Sequence, residues 1–599
     1  MRYKIKTIIL GMLLSSAAAH AAADTTIVVS PSQGEEALMD ALQQAREYKR
    51  KHVSADAYQK LDSMGSYPWV DIRLKAGTYR LYQPLQVRPE DSNLRFVGEA
   101  GAHIVGSLPI TKWRKEGKYL VADVPEFKGR PFDFRQLWVN GKKAVRARSV
   151  SDFEKMPRIV NYDKKNRILW VPASAIRNAQ FSLLDAKAHA QHLEVVLHQM
   201  WEIGILRVKD IQVQGDSAAL TFHNPEARLQ FSHPWPSPMY NSKHNSPFYF
   251  VNALALLDEP GEWYHDIREG KLYYMPRKGE KLDNLVAEAP ALETLVAVEG
   301  TPDRRVQNIR FENIGFHYTS WMRPSFEGHV PLQAGMYLTE AYKLRPQINR
   351  TNNHKLDNQG WLGRASAALQ ISHADHLDFT NCRFEHLGGS GLDYVEGCGY
   401  GKVEGCNFQD IAMNGYVAGS FSPSALETHL PYRPADLREV CHHQQVVGST
   451  FSDVTNEDWG CVAIAAGYVS NMCISRNTIH DISYTGISLG WGWNRDSVCM
   501  HDNHVSENVI YNYAQHMYDC AGIYTLGNQP GTVIEKNEVR DIAHPTYVHD
   551  PEHWFYLYTD EGSSNITLRN NITPSEKFLK NATGPNNVWE NNGPRSDTK

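Results

Sequence analysis

An eight-residue phrase recurs along the second half of the chain, and it restricts the fold more than any other feature. IRFENIGF, Ile309 to Phe316, aligns without a gap on LDFTNCRF, Leu377 to Phe384. Further copies are GKVEGCNF, QQVVGSTF, MCISRNTI, NHVSENVI and TVIEKNEV, ending at Phe408, Phe451, Ile479, Ile510 and Val539. Apolar residues alternate through the first half of each copy, as on a strand with one buried face. A small or amide residue then marks a turn, and a glycine-led strand follows: SGLDYVEG, NGYVAGS, WGCVAIAAG, TGISLGWG, AGIYTLG. From Phe384 onward the anchors step by 24, 43, 28, 31 and 29 residues. A period near 24, lengthened wherever a loop is extruded, is that of a solenoid whose coils bury their inner faces against one another. The repeat carries no helical periodicity and its strands are three to five residues long, so the expected fold is all-β, a right-handed parallel β-helix. Asn477, Asn508 and Asn537 recur at one turn, where amides can stack and bond from coil to coil.

Outside the repeats, GEEALMDALQQAREYKRKH, residues 34–52, has the apolar spacing of a helix and is expected to cap the N-terminal end. VDIRLKAGTYRLYQPLQV and LRFVGEAGAHIVGS read as opening coils, giving a first unit over 24–112. Longer alternating strands such as RQLWVNGKKAVRARS and RILWVPAS indicate an inserted β-rich domain over 113–235, with the main β-helix following over 236–599.

Residues 1–23 set Arg2, Lys4 and Lys6 before the apolar run Ile8–Leu14 and close on Ala21-Ala22-Ala23, the layout of a cleavable secretory signal peptide. No cysteine follows that run to carry a lipid anchor, so the expected location is the periplasm or the cell exterior, without membrane insertion. Losing those three cations takes the formal net charge from −5 to −8, which argues against nucleic acid as a partner. The eight cysteines match no zinc spacing and read mostly as small buried residues, though an exported chain could pair some of them.

Two acids stand out at strand ends, Asp519 in YDCAGIYTLG and Asp560 in WFYLYTDEG. A carboxylate near apolar side chains is costly unless it has a partner or a function. The cap, GTYRLYQPLQV, the insert with LWVNGKKAVRAR, the segment FVNALALLDEPGEWYHDIREGKLYYMP and the coils together resemble glycoside hydrolase family 141 over nearly the whole mature chain. The resemblance implies removal of α-L-fucose from complex pectin or, in other members, cleavage of xylan. It also implies that the acidic pair lies in DCAGIY and LYTDEG, at Asp519 and Asp560. Glu262 and Asp266, in GEWYHDIREGKLYYMP, read instead as joining the insert to the solenoid.

Glycoside hydrolysis needs one protonated carboxyl and one ionised. The apolar neighbours Met517, Tyr518, Cys520 and Ala521 favour Asp519 as the acid, and the polar neighbours Glu561, Ser563 and Ser564 favour Asp560 as nucleophile or base. Aligning the turns sets Asp560 level with Leu526, several residues along from Asp519, so the strands must bend if the two are to meet. The expected sugar contacts are Glu457, Asp458, Trp459, Trp491, Trp493, His516 and Glu561, the tryptophans as a stacking wall. His501 and His504 fall on opposite strand faces and make no chelating pair. No cofactor or metal is expected, and the partner is an oligosaccharide or polysaccharide. Two other classes remain: a polysaccharide lyase, disfavoured because the strong bases between Gly460 and Gly562 are Arg476, Arg495, Lys536 and Arg540, mostly at turns, and a noncatalytic adhesion solenoid.

Overall fold

The computed structural model describes residues 23–53, 67–178, 192–233, 235–241, 244–341 and 359–595. Apart from Ala23, the segment read as a signal peptide lies outside them. Three long parallel sheets dominate: twelve strands from Thr25–Val29 to Val588–Glu590, nine from Gly77–Arg80 to Glu538–Val539, and ten from Leu85–Val87 to Phe578–Lys580. The chain visits them in turn. Lys402–Glu404 lies in the first, Asn407–Ile411 in the second and Tyr416–Ala418 in the third, and Gln445–Val447 returns to the first beside Lys402–Glu404. Such a mostly-β chain of large parallel sheets is consistent with a β-helix.

The repeat alignment holds residue for residue. Phe316, Phe384, Phe408, Phe451, Ile479, Ile510 and Val539 pair successively in one column. All are fully buried. The rings of Phe384, Phe408 and Phe451 lie nearly parallel, with centroids 4.5 and 4.4 Å apart. At the turn, the Asn477 side-chain amide donates to Asn508 Oδ1, Asn508 to Asn537 and Asn537 to Asn571, each at 2.9 Å, and Asn571 donates to Asn592 at 2.8 Å. The residue before each asparagine turns left-handed, as Arg476, Glu507 and Lys536 do at φ of 55°, 58° and 57°. That conformation costs a non-glycine residue roughly 1–2 kcal/mol, which the amide ladder and the packed column beneath it offset.

Helix Ala37–His52 buries Leu38, Ala41, Leu42 and Ala45, one face at helical spacing. It packs on Thr25–Val29, the end strand of the first sheet. Arg46 binds Asp91 through Nε and Nη2, and Lys49 Nζ donates to the Asp91 and Ser92 carbonyls.

The insert is larger than the expected 113–235. Two additional sheets, of eight and six strands, occupy the chain from Ser107 to Pro290. Tyr119–Asp123 pairs antiparallel with Lys271–Tyr274, and Ser107–Ile110 with Ala287–Pro290, pairings that no local pattern announces. The chain rejoins the third sheet at Val296–Glu299, beside Leu85–Val87. Glu262 thus lies inside the insert, where its carboxylate faces the backbone amides of Arg148, Asp258 and Glu259. Trp138 Nε1 donates to Asp410 Oδ2 at 2.6 Å and Arg158 Nη2 to the Tyr547 carbonyl at 2.9 Å, fastening the insert to the coils. All eight cysteines are free and six are buried. Among the described residues, no helix is long and apolar enough to cross a membrane.

Candidate active site

The third sheet carries the two acids on neighbouring strands. Asp519 immediately precedes Cys520–Thr525 and Asp560 immediately follows Trp554–Thr559. In register, Cys520 faces Trp554 and Thr525 faces Thr559, so Asp560 is level with Leu526 as the alignment requires. The pairing omits Gly522 and Tyr556, where the coil turns its corner. A Cβ on Gly522 would sit 2.2 Å from Val539 Cγ1, so only glycine fits against the packed interior there.

Long side chains close the remaining gap. Tyr524 and Tyr558 pair across the strands, with ring centroids 4.9 Å apart. The Tyr524 hydroxyl donates to Asp560 Oδ2 at 2.6 Å. Burial, then the charges of Asp519 and Asp560, hold the Tyr558 pKa far above the usual tyrosine value, so its hydroxyl lies close to both carboxylates.

Each acid also meets the coil beyond it. Asn581 Nδ2 donates to Asp560 Oδ1 at 2.7 Å. His553 Nε2 lies 3.1 Å from Asp519 Oδ1, a charge contact rather than an aligned hydrogen bond, since that oxygen has no partner of good geometry. Asp519 itself is left-handed, at φ 55°, an uncommon conformation that aspartate tolerates. The Tyr484 hydroxyl anchors it by donating to its carbonyl at 2.8 Å.

Electrostatically the two sites differ. Burial is the main cause raising the Asp560 carboxyl above its ordinary value; Tyr524 and Asn581 oppose this and the Asp519 charge adds to it. Burial, then Asp560, likewise raises Glu561. His553 is raised chiefly by its contact with Asp519, so a cation sits against that carboxylate over a wider pH range than a free imidazole would allow. The fold thus gives Asp560 an environment suited to a protonated acid, burying it among Tyr524, Tyr558 and Asn581 whatever its flanking residues are.

The acids open into a cavity of about 310 Å³, lined also by Trp201, Trp235, Leu332, Gln333, His429, Tyr484, Trp493 and Glu561. Of the expected sugar contacts, Trp493 and Glu561 are there and the rest are not. Trp491 is buried behind Trp493, 5.1 Å away edge to face. Asp458 is fully buried and bonds His329 Nε2 at 2.9 Å. Glu457 binds Lys143 Nζ at 2.8 Å and, with Trp459 and His516, lines a second cavity against the insert. Trp459 stacks on His516 at 4.4 Å there, and His516 Nδ1 meets the Tyr547 hydroxyl at 2.6 Å. Coil position alone does not say on which side of the loop a side chain falls. Tyr484, Tyr524 and Tyr558 were missed, although the column alignment of AGIYTLG with FYLYTDEG pairs the last two. Trp201 and Trp235 come from the insert and have no signal in the repeat. Among the described residues, no group of histidine, cysteine or carboxylate side chains is placed to hold a metal ion.

A family model, the GH141 insertion domain, matches residues 117–277. A solved structure described as a glycoside hydrolase is 52% identical at a TM-score of 0.89, with 96% of this chain and 97% of that one covered. Much more distant are XylC in complex with xylose (12% identity, TM-score 0.39, covering 92% of this chain and 69% of that one) and PfbA, a surface adhesin of Streptococcus pneumoniae (10%, 0.37, 94% and 91%). No curated protein matches the chain.

Proposed function

Because the chain belongs to glycoside hydrolase family 141, we propose that it is an exported α-L-fucosidase acting on complex pectin, with Asp519 and Asp560 as its carboxyl pair. The carrying observation is that these two acids, far apart in register, both line the wall of one cavity together with Tyr524 and Tyr558. In this reading Asp560 is the general acid. Its raised pKa keeps a proton available for the leaving oxygen. Asp519, beside His553, serves as nucleophile or as base for water. Trp201, Trp235 and Trp493 offer flat apolar faces to the sugar ring, and Gln333, His429 and Glu561 offer polar contacts to its hydroxyls. We read the coils as right-handed, the hand followed by parallel crossover connections, helix Ala37–His52 as their N-terminal cap, and residues 1–23 as the signal that directs the chain to the periplasm or beyond. Xylan cleavage is the alternative within the family.

The test is product analysis of pectic and xylan oligosaccharides. Products that gain water and include a free deoxyhexose support the fucosidase; released xylose units favour the alternative. Unsaturated products formed without water would overturn hydrolysis altogether. Asp519→Asn and Asp560→Asn should each lower kcat about 10²–10⁴-fold while leaving Tm near the wild-type value, and near-normal turnover in either variant would remove that residue from the mechanism.

A further inference from the structure

The second cavity, also about 310 Å³, lies where the insert meets the coils, and charged groups of both signs surround it. Four cations line it, Arg135, Lys143, Arg146 and Arg148, against Asp453 and Glu457. Lys143 is matched by Glu457 at 2.8 Å. Arg135 and Arg146 share one carboxylate, Glu194, at 2.5 and 3.1 Å, and the Nε of each is buried without a hydrogen-bond partner. Burial pushes the Asp453 carboxyl up, which weakens its opposing charge. The Arg148 backbone amide meets Glu262 Oε1 at 3.4 Å, but among the described residues its guanidinium makes no ion pair, and it lies 4.6 Å from the centroid of the Phe153 ring. Phe153 in turn meets Trp459 and Tyr249, at centroid distances of 4.9 and 5.7 Å, so an apolar aromatic wall adjoins the free fork.

A planar guanidinium fixed by ring stacking, with its donors unspent, matches a carboxylate in two-point geometry, and an aromatic wall suits the apolar face of a sugar ring. We propose that this cavity binds a uronate residue of an anionic glycan, with Arg148 holding the sugar carboxylate. The cavity is separate from the one holding the acids, and His516 connects them: its ring lines the second cavity, and three residues later the chain reaches Asp519 at the first. One glycan could therefore be held by its acidic unit on one side of this segment while another unit is cleaved on the other. That a saccharide carries the carboxylate rests on the proposed activity; the anion preference does not.

The experiment measures binding without turnover, by calorimetry, on the full mature chain carrying Asp519→Asn, so that loss of the fucosidase reading leaves it interpretable. Methyl α-D-galacturonide should bind and methyl α-D-galactoside should not over the same concentration range. Arg148→Ala and the length-matched Arg148→Gln should each weaken galacturonide binding about tenfold or more, with Tm unchanged in at least one of them. Equal binding of the two glycosides, or undiminished binding in a folded Arg148 variant, overturns the proposal. So does sulfate competing as well as galacturonide, which would make the site one for any small anion.

Discussion

At the residue scale the contact between His553 and Asp519 is the feature with the clearest titratable consequence. The His553 pKa is raised in the folded chain, so this contact stabilises the fold fully at pH below the ordinary imidazole value of about 6.5 and loses that contribution as pH rises through the raised one. In His553→Gln that pH-dependent increment should vanish. The same variant removes the cation beside Asp519, so kcat/KM should lose the part of its pH dependence that titration of His553 imposes. Tm and kcat/KM profiles between pH 4 and 9 check both, and an unchanged kcat/KM profile would show that His553 does not act on Asp519. The candidate acids were legible because each flanks a strand of the repeat, Asp519 before Cys520–Thr525 and Asp560 after Trp554–Thr559. Their surroundings were not, because the flanking residues Met517 and Ser563 say little about what tertiary contacts bury. His553 and Asn581 belong to the coil after each acid and become its neighbours only once the register is known.

At the element scale, what the sequence revealed best was the column of stacked anchors. Phe408 and Phe451 occupy equivalent places in their phrases because each must fill the same interior position above its predecessor. The asparagine turn was legible for the same reason. Each ladder asparagine there donates to the next coil and to a backbone carbonyl, as Asn537 does to Asn571 and to Val505. Removing one link leaves buried groups without partners on both sides. Asn537→Ala should therefore cost about 1–3 kcal/mol, measured as a lower urea midpoint. A change below a few tenths of a kcal/mol would mean that water replaces the ladder bonds. The insert was the element least legible, since its closing strands lie about 150 to 180 residues beyond the strands they pair with, and the repeat period gives no sign of where it resumes.

At the scale of the whole molecule, the insert and the coils bury titratable groups where they meet. Glu202, from the insert, is fully buried beside Asp458 of the solenoid. The Ala334 and Gly335 amides face it without aligned hydrogen bonds. Burial, then the Asp458 charge, raises its pKa well above the usual carboxyl value. The folded chain thus keeps a proton that the unfolded chain releases near pH 4.5, and stability must fall as pH rises through that interval. Glu202→Gln should gain stability relative to the wild type at pH 8 and converge with it near pH 4, read as the difference in Tm; a constant difference across that range would show that Glu202 does not titrate. One last consequence concerns dependence rather than position. Asp560 takes its bond from Asn581, and the strand before Asn581 is the final one of the third sheet. Any chemistry that leans on Asp560 is therefore hostage to the outermost coil: fraying there would disarm it while most of the three sheets stay formed.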